Sequence, residues 1–201
     1  MLLNHVWGLF AHPEDEWKTI RKERCTVTRC YCSHVLLLAA IPALAGYFGT
    51  TQVGWDVPGG REVHKLTQQS ALQIAILFYF TMLVAVVTVG ALIHWMGKTY
   101  GSKQPLSQCI VLASYTATPL FLIGVMLLYP LLWLNMLIGL LALAYTVYLL
   151  YTGVPVMMGI SRERGFLFAS AVLAVGLVML VALLVTTVIL WDLGIGPMFA
   201  G

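Results

Sequence analysis

The chain alternates between long apolar stretches without charge and short polar segments. The charge-free stretches are Cys30–Trp55, Leu66–Gly97, Gln104–Ser161 and Gly165–Trp191. A helix that crosses a membrane needs about 20 predominantly apolar residues, so three of these stretches hold one helix each. The third is long enough for two, and Tyr129-Pro130 divides them, because proline cannot continue a helix and disfavours helical geometry just before itself.

The pattern therefore predicts an all-α integral membrane protein, a bundle of five transmembrane helices. The helices are expected near residues 34–51, 71–97, 106–128, 131–152 and 166–191. Residues 1–33 form an N-terminal tail, 34–192 the five-span domain, and 193–201 a short external tail. This division leaves no room for a separate soluble domain.

Composition supports the membrane class and excludes others. Of the 201 residues, 60% are hydrophobic and 9% are charged, with a mean hydropathy of +0.90. Soluble domains carry about 25% charged residues, so a soluble fold of this composition would lack a wettable exterior. The net charge of +3 is small and dispersed, which argues against nucleic acid as a partner.

The basic residues predict the orientation of the bundle. Nine lysines and arginines lie in the N-terminal tail and in the two loops on its side, whereas Arg61 and Lys65 lie on the other side. Cytoplasmic loops carry the excess of lysine and arginine. We therefore expect a cytoplasmic N-terminus, an external C-terminus and, for a bacterial protein, residence in the inner membrane.

The tail contains a predicted amphipathic helix at the membrane interface. Pro13 followed by Glu14, Asp15 and Glu16 is typical of a first helical turn, since acidic side chains favour the positive end of the helix dipole. Trp17 and the following residues continue it. The sequence leaves two placements open: the tail lies on the membrane surface, or it packs beneath the bundle.

The third predicted helix contains a candidate hinge. Pro119 has no N–H to donate to the carbonyl of Tyr115, so the helix should kink there. Ser114, Thr116 or Thr118 would then satisfy that carbonyl. The alternatives are a hinge with a small polar pocket walled by Tyr115, and a fixed packing kink.

Asn135 is the most polar residue of the fourth predicted helix, and we expect it to hydrogen-bond between helices and to belong to the same pocket. The predicted spans carry no carboxylate well inside the membrane. Transport coupled to protons or sodium usually needs such a group, so a carboxylate-driven pump is disfavoured. The chain also lacks the common nucleophile, phosphate-binding and zinc-protease motifs, and we expect no enzymatic activity.

A cysteine-rich segment precedes the first predicted helix. Cys25, Cys30, Cys32 and His34 form a C-x4-C-x-C-x-H pattern, and four soft ligands this close are suited to zinc or copper(I). The spacing is not that of a zinc finger, and free thiols, some of them lipidated, are the other interpretation. No cofactor is required by any other feature.

Several short motifs, and their order along the chain, resemble those of the Yip domain family, which is named for Ypt-interacting proteins. The motifs are Trp7-Gly8-Leu9-Phe10-Ala11-His12-Pro13, Tyr115-x3-Pro119-Leu120-Phe121, and Tyr148-Leu149-Leu150-Tyr151-x-Gly153-Val154-Pro155. The stretches His34–Pro42, Gly49–Trp55 and Ala117–Pro130 are similar to the bacterial inner-membrane branch of that family. The resemblance extends over residues 4–192.

That resemblance implies a five-span membrane protein whose eukaryotic relatives bind Rab-type GTPases and one another and shape membranes. Those relatives carry an Asp-Leu-Tyr-Gly-Pro motif in a longer tail. This chain lacks it, which argues against GTPase binding.

We therefore expect a non-enzymatic membrane scaffold, adaptor or bilayer organiser whose partners are lipid and other membrane proteins or a second copy of itself. The alternative is a transporter, channel or lipid conduit for a small solute, hinged at Tyr115–Pro119. The polar side chains of the second predicted helix, Gln73, Thr81 and Thr88, motivate that alternative.

Overall fold

The computed structural model describes residues 2–23, 34–54, 64–129, 131–192 and 198, and the described residues form eight α-helices. They are α1 (Leu2–Ala11), α2 (Pro13–Glu23), α3 (Leu36–Phe48), α4 (Gln68–Gly97), α5 (Leu106–Thr116), α6 (Thr118–Ile123), α7 (Leu132–Met158) and α8 (Arg162–Asp192). A π-helical turn, Gly49–Val53, continues α3, and a 3-10 turn, Gly124–Leu128, continues α6.

Five helical segments are long and apolar enough to cross a membrane, which confirms the prediction of an all-α five-span protein. They are α3 with its π-turn, α4, the α5–α6 pair with its 3-10 turn, α7 and α8. We refer to them as the first to fifth spans.

The fourth span is longer than the predicted 131–152. A proline usually ends a helix, but α7 continues past Pro155. The helix continues to Met158, and it is Gly159, with φ of 68°, that terminates α7 by donating its N–H to the carbonyl of Pro155 at 3.1 Å. Glycine adopts this left-handed conformation without a steric penalty. The proline ring packs instead against Gly165 of α8, where an added β-carbon would lie 2.8 Å from it.

The third span is the centre of the bundle and the fifth is its periphery. In the most apolar window of the third span 61% of residues are buried, against 6% in the fifth. α8 contacts the bundle through its first third, where Gly165, Phe168, Ala169 and Val172 are buried. Beyond Gly176 its side chains are mostly exposed, as expected of a helix that faces lipid.

Glycines allow the first and third spans to touch through their backbones. A β-carbon on Gly49 would lie 1.9 Å from the carbonyl oxygen of Leu127, and one on Gly124 would lie 2.3 Å from Cβ of Pro42. Small residues permit this close approach between membrane helices.

The two ends of the described chain lie on opposite faces of the bundle. α1 and α2 lie beside the C-terminal end of α7, where Arg21 donates to the carbonyl of Val156 at 2.8 Å. Met198 lies at the start of α4, where its carbonyl accepts from the N–H of Thr67 at 3.0 Å. We call these the tail face and the far face. Which of them is cytoplasmic stays a prediction from the basic residues.

Candidate functional site

The N-terminal helices form a hairpin that packs beneath the bundle. The side chains of Leu9 and Trp17 are completely buried, and Ile20 is 3% exposed. The hydroxyl of Tyr145 on α7 donates to the carbonyl of Leu9 at 2.8 Å. Of the two placements that the sequence left open, the structure therefore has the tail docked on the spans.

A glycine of the fourth span creates the site for Trp17. A β-carbon on Gly153 would lie 2.7 Å from Cε2 of Trp17 and 2.9 Å from Cδ1 of Leu112. Only hydrogen at this position leaves room for the indole. The indole of Trp17 is therefore inserted into the tail face and does not rest on its surface.

A polar cluster joins the hairpin to the first and third spans, and it runs from the exposed Glu23 to the buried His34. His5 of α1 contacts the carboxylates of Glu16 and Glu23 of α2, the latter at 3.1 Å. The rings of His5 and Tyr115 meet edge to face with centroids 5.8 Å apart. We call His5, Glu16, Glu23, His34, Tyr115 and Thr118 the junction cluster.

His34 completes the junction cluster from a position two residues before the first span. Its ring lies 4.4 Å from the ring of Tyr115 between centroids, and its Nε2 is hydrogen-bonded to the hydroxyl of Thr118 at 2.9 Å. His34 is 1% exposed. The cluster therefore forms a continuous series of contacts from the hairpin to the break in the third span.

The predicted helix break is present. α5 ends at Thr116, and α6 begins at Thr118 with Pro119 in its first turn. The hydroxyl of Ser114 donates to the carbonyl of Ile110 at 2.7 Å, and Thr118 pairs with His34. Two of the three hydroxyls expected to bind the Tyr115 carbonyl therefore have other partners.

The residues predicted to share one pocket lie in two places. Tyr115 and Thr118 belong to the junction cluster, with Pro119 beside them in the chain, whereas Thr116 and Asn135 line a cavity between the spans. Among the described residues, Asn135 bonds the turn before its own helix and no other helix. Its amide nitrogen donates to the carbonyls of Tyr129 and Leu131, at 2.8 and 3.1 Å, and so stabilises the start of α7.

The predicted metal cluster falls largely outside the described residues. Cys25, Cys30 and Cys32 are not among them, so zinc or copper(I) binding stays a prediction. The fourth member, His34, uses one ring nitrogen to bond Thr118. Cys109 in α5 is completely buried, and no described cysteine is its disulfide partner.

We expect His34 to make the fold sensitive to acid. Burial lowers the pKa of His34 from 6.5 to about 4, and repulsion from His5 contributes a smaller part. In the unfolded chain His34 takes up a proton as the pH falls through 6.5, whereas in the folded protein it stays neutral until about pH 4. Folding stability therefore falls as the pH is lowered from 6.5 to 4. Between pH 7 and 4.5 the loss due to His34 is about 2 kcal/mol.

Thermal unfolding of the purified protein checks this expectation against the variant His34→Gln. The two proteins differ only at position 34, so the difference between their pH profiles reports His34. The midpoint of the unmodified protein should fall more steeply on acidification. Parallel profiles would contradict the assignment.

Sequence reasoning missed the partners of the tail. The acidic turn Glu14-Asp15-Glu16 was interpreted only as a helix start, although Glu16 binds His5, and Arg21 was counted only as a positive charge. The amphipathic helix predicted after Pro13 did imply an apolar face. Nothing in the sequence said that this face packs on a protein surface rather than on lipid.

Comparison with known proteins covers almost the whole chain. The family model of the Yip1 domain matches residues 7–183. The chain is 47% identical, over 192 residues, to the Inner membrane protein YohC of Escherichia coli strain K12, and the match spans 96% of this chain and 98% of the relative. The same values hold for the protein of that name from Escherichia coli O6:H1 strain CFT073. No solved structure matches the chain.

Proposed function

This chain belongs to the Yip1 domain family, and from that premise we propose that it is a non-enzymatic scaffold of the bacterial inner membrane. It binds other membrane proteins, or a second copy of itself, and organises the bilayer around the complex. Its N-terminus and the docked hairpin face the cytoplasm. The inner-membrane location is supported by the name of the Escherichia coli relatives.

The observation that carries this proposal is the docked hairpin. Its buried side holds α1 and α2 in a fixed position, and its outer side presents Trp7, which is 74% exposed. Phe10 stacks on Tyr145 with ring centroids 5.1 Å apart, so α1 has little freedom to turn Trp7 inward. A tryptophan on a rigid, outward-facing surface is typical of the anchor residues that dominate binding at interfaces.

The geometry supports a scaffold better than a conduit for an ion or polar solute. Gln73 and Thr81 of α4 are exposed on the outside of the bundle, and neither lines the cavity between the spans. The hydroxyl of Thr88 donates to its own helix, to the carbonyl of Val84 at 2.8 Å. In the described part of the chain, the polar side chains that motivated a conduit do not line a common path.

Photo-crosslinking in intact cells tests the scaffold. A photoreactive amino acid at position 7 of the full-length protein should give one recurrent protein adduct, either a second copy of this chain or a single other membrane protein. The same amino acid at Trp95, which is 70% exposed at the end of α4, is the matched control and should label lipid. The variant Trp7→Ala should then lower co-purification of that partner, since hot-spot residues contribute about 2 kcal/mol or more.

Deleting the tail would be a poor test, because Leu9, Trp17 and Ile20 belong to the core. Point variants at exposed positions leave the core intact. If position 7 labels only lipid, or if Trp7→Ala and Trp95→Ala co-purify the same partner equally well, the hairpin is not the binding surface and the proposal fails.

A further inference from the structure

A large apolar cavity lies between the spans at membrane depth. Its volume is about 510 Å³, within the range of about 300–1,000 Å³ that is usual for small-molecule sites. α4, α5, α6, α7 and α8 line most of it, and Pro42 of α3 closes one side. Apolar space of this size offers a hydrocarbon ligand from the bilayer dispersion contacts over its whole lining.

The cavity opens sideways towards lipid, between α4 and α8. Its most exposed lining residues include Phe78 of α4 and Leu177 and Leu180 of α8, which are 43, 48 and 47% exposed. This opening arises because α8 diverges from the bundle after the first third of the helix. A lipid-soluble molecule can therefore enter without passing through either aqueous face.

Two buried hydroxyls give the apolar lining hydrogen-bonding capacity. Thr116 is 7% exposed, and its hydroxyl oxygen has no hydrogen-bond partner in the described part of the chain. The same is true of the hydroxyl of Thr146, on the facing helix α7. Both side chains line the cavity. A threonine hydroxyl inside a helix normally donates to a carbonyl of the preceding turn, and these two do not.

A buried hydroxyl without a partner is costly, and in the membrane no water is at hand to relieve it. The methyl and hydroxyl groups of threonine exchange places on rotation about χ1 between staggered positions. Such a rotation lets Thr116 present its O–H to a ligand in the cavity without moving the helix. An acceptor oxygen on the ligand would then satisfy the donor.

We propose that this cavity binds a lipid-soluble molecule with a hydrocarbon body and a carbonyl oxygen, and that the carbonyl accepts a hydrogen bond from Thr116. The hydrocarbon fills the space between α4 and α8, and Thr146 is the second donor. A quinone and a fatty ester both have this chemistry. The assignment goes beyond the scaffold proposed above and does not depend on it, since it concerns the interior of the bundle and not the hairpin.

The site can be located by filling it. Gly176 lines the cavity, and a β-carbon built on it meets no atom within 4 Å, so Gly176→Phe places a ring in open space. Gly139 on α7 also has no neighbour within 4 Å but does not line the cavity, so Gly139→Phe is the matched control. The full-length protein in micelles of an alkyl maltoside, a detergent without a carbonyl group, is labelled with an alkyl chain that carries a diazirine, and adducts are mapped on peptides.

We expect adducts on the cavity-lining parts of α4 and α8. Labelling should fall roughly tenfold in Gly176→Phe, since the ring displaces at least two methylene groups of the probe. Labelling should be unchanged in Gly139→Phe. Equal labelling of the two variants overturns the site.

The carbonyl is tested by competition between a long-chain ketone and the alkane of the same length. The ketone should compete about fivefold better, the gain expected from one hydrogen bond, and Thr116→Val should abolish that advantage. Thr88→Val, whose hydroxyl already bonds its own helix, should keep it. Equal competition by ketone and alkane in the unmodified protein overturns the carbonyl assignment, and this variant pair decides the matter even if Gly176→Phe does not fold.

A quinone and a fatty-acid methyl ester, added at equal mole fraction, then identify the source of the carbonyl. The compound that displaces the diazirine probe better from the unmodified protein than from Thr116→Val has the chemistry of the natural ligand. Failure of both to displace the probe overturns the proposal.

Discussion

The variant Trp17→Ala is expected to destabilise the protein by about 3–5 kcal/mol, the usual cost of removing a completely buried tryptophan. The indole fills the site that Gly153 leaves open on the tail face, and alanine would leave a cavity between α2 and α7. Because Leu9 and Ile20 do not by themselves fill that gap, the hairpin should detach from the spans. Limited proteolysis of the purified protein will show this as rapid cleavage within residues 1–24.

Two variants control for the loss of an aromatic ring. Trp17→Phe retains most of the buried surface, and the indole N–H has no hydrogen-bond partner in the described structure to lose, so this variant should stay resistant to protease. Trp7→Ala removes an exposed tryptophan from the same hairpin and should leave cleavage unchanged. If Trp17→Ala is as resistant as Trp7→Ala, the hairpin is not held by its buried face.

The variant Gly49→Ala adds one methyl group, and we expect it to lower the stability of the membrane domain more than the same change at the other glycines of the described spans. The added β-carbon would lie 1.9 Å from the carbonyl oxygen of Leu127 and 2.9 Å from its carbonyl carbon. Both are backbone atoms, which cannot swing aside as a side chain can, so the first and third spans must separate. Overpacking typically costs about 1–3 kcal/mol, and we expect this variant to reach or exceed the upper end.

The measurement is the fraction of protein that stays monodisperse in detergent after heating. Gly139→Ala is the control, since it makes the same chemical change in a helix with open space around it. There the better helix propensity of alanine should leave stability equal or up to about 1 kcal/mol higher. Equal thermal resistance of the two variants would show that the backbones do not touch at Gly49.

The spans were predictable because their signal is local. A run of apolar residues without charge must form a helix in lipid, since every backbone N–H and carbonyl needs a partner within the segment. The break at Pro119 is local for the same reason, because the missing N–H and the ring act within one turn. These features needed no knowledge of which helices are neighbours.

Features that depend on neighbours were not predictable. Pro155 looks like a terminator in sequence, yet α7 continues to Met158, and the proline ring packs against Gly165 of another helix. Asn135 looks like a partner for a distant helix, yet its amide nitrogen binds two carbonyls of the turn just before its own helix. The sequence shows that a buried polar group needs a hydrogen-bond partner, but the identity of that partner depends on the fold.

The contact between Trp17 and Gly153 links the tail to the order of synthesis. The ribosome makes the hairpin first, but the glycine that accommodates its indole belongs to the fourth span and emerges more than a hundred residues later. Until that span has entered the bilayer, the tail has no finished surface on which to fold. α1 and α2 are therefore among the last helices to reach their native position, although they are made before every span on which they pack.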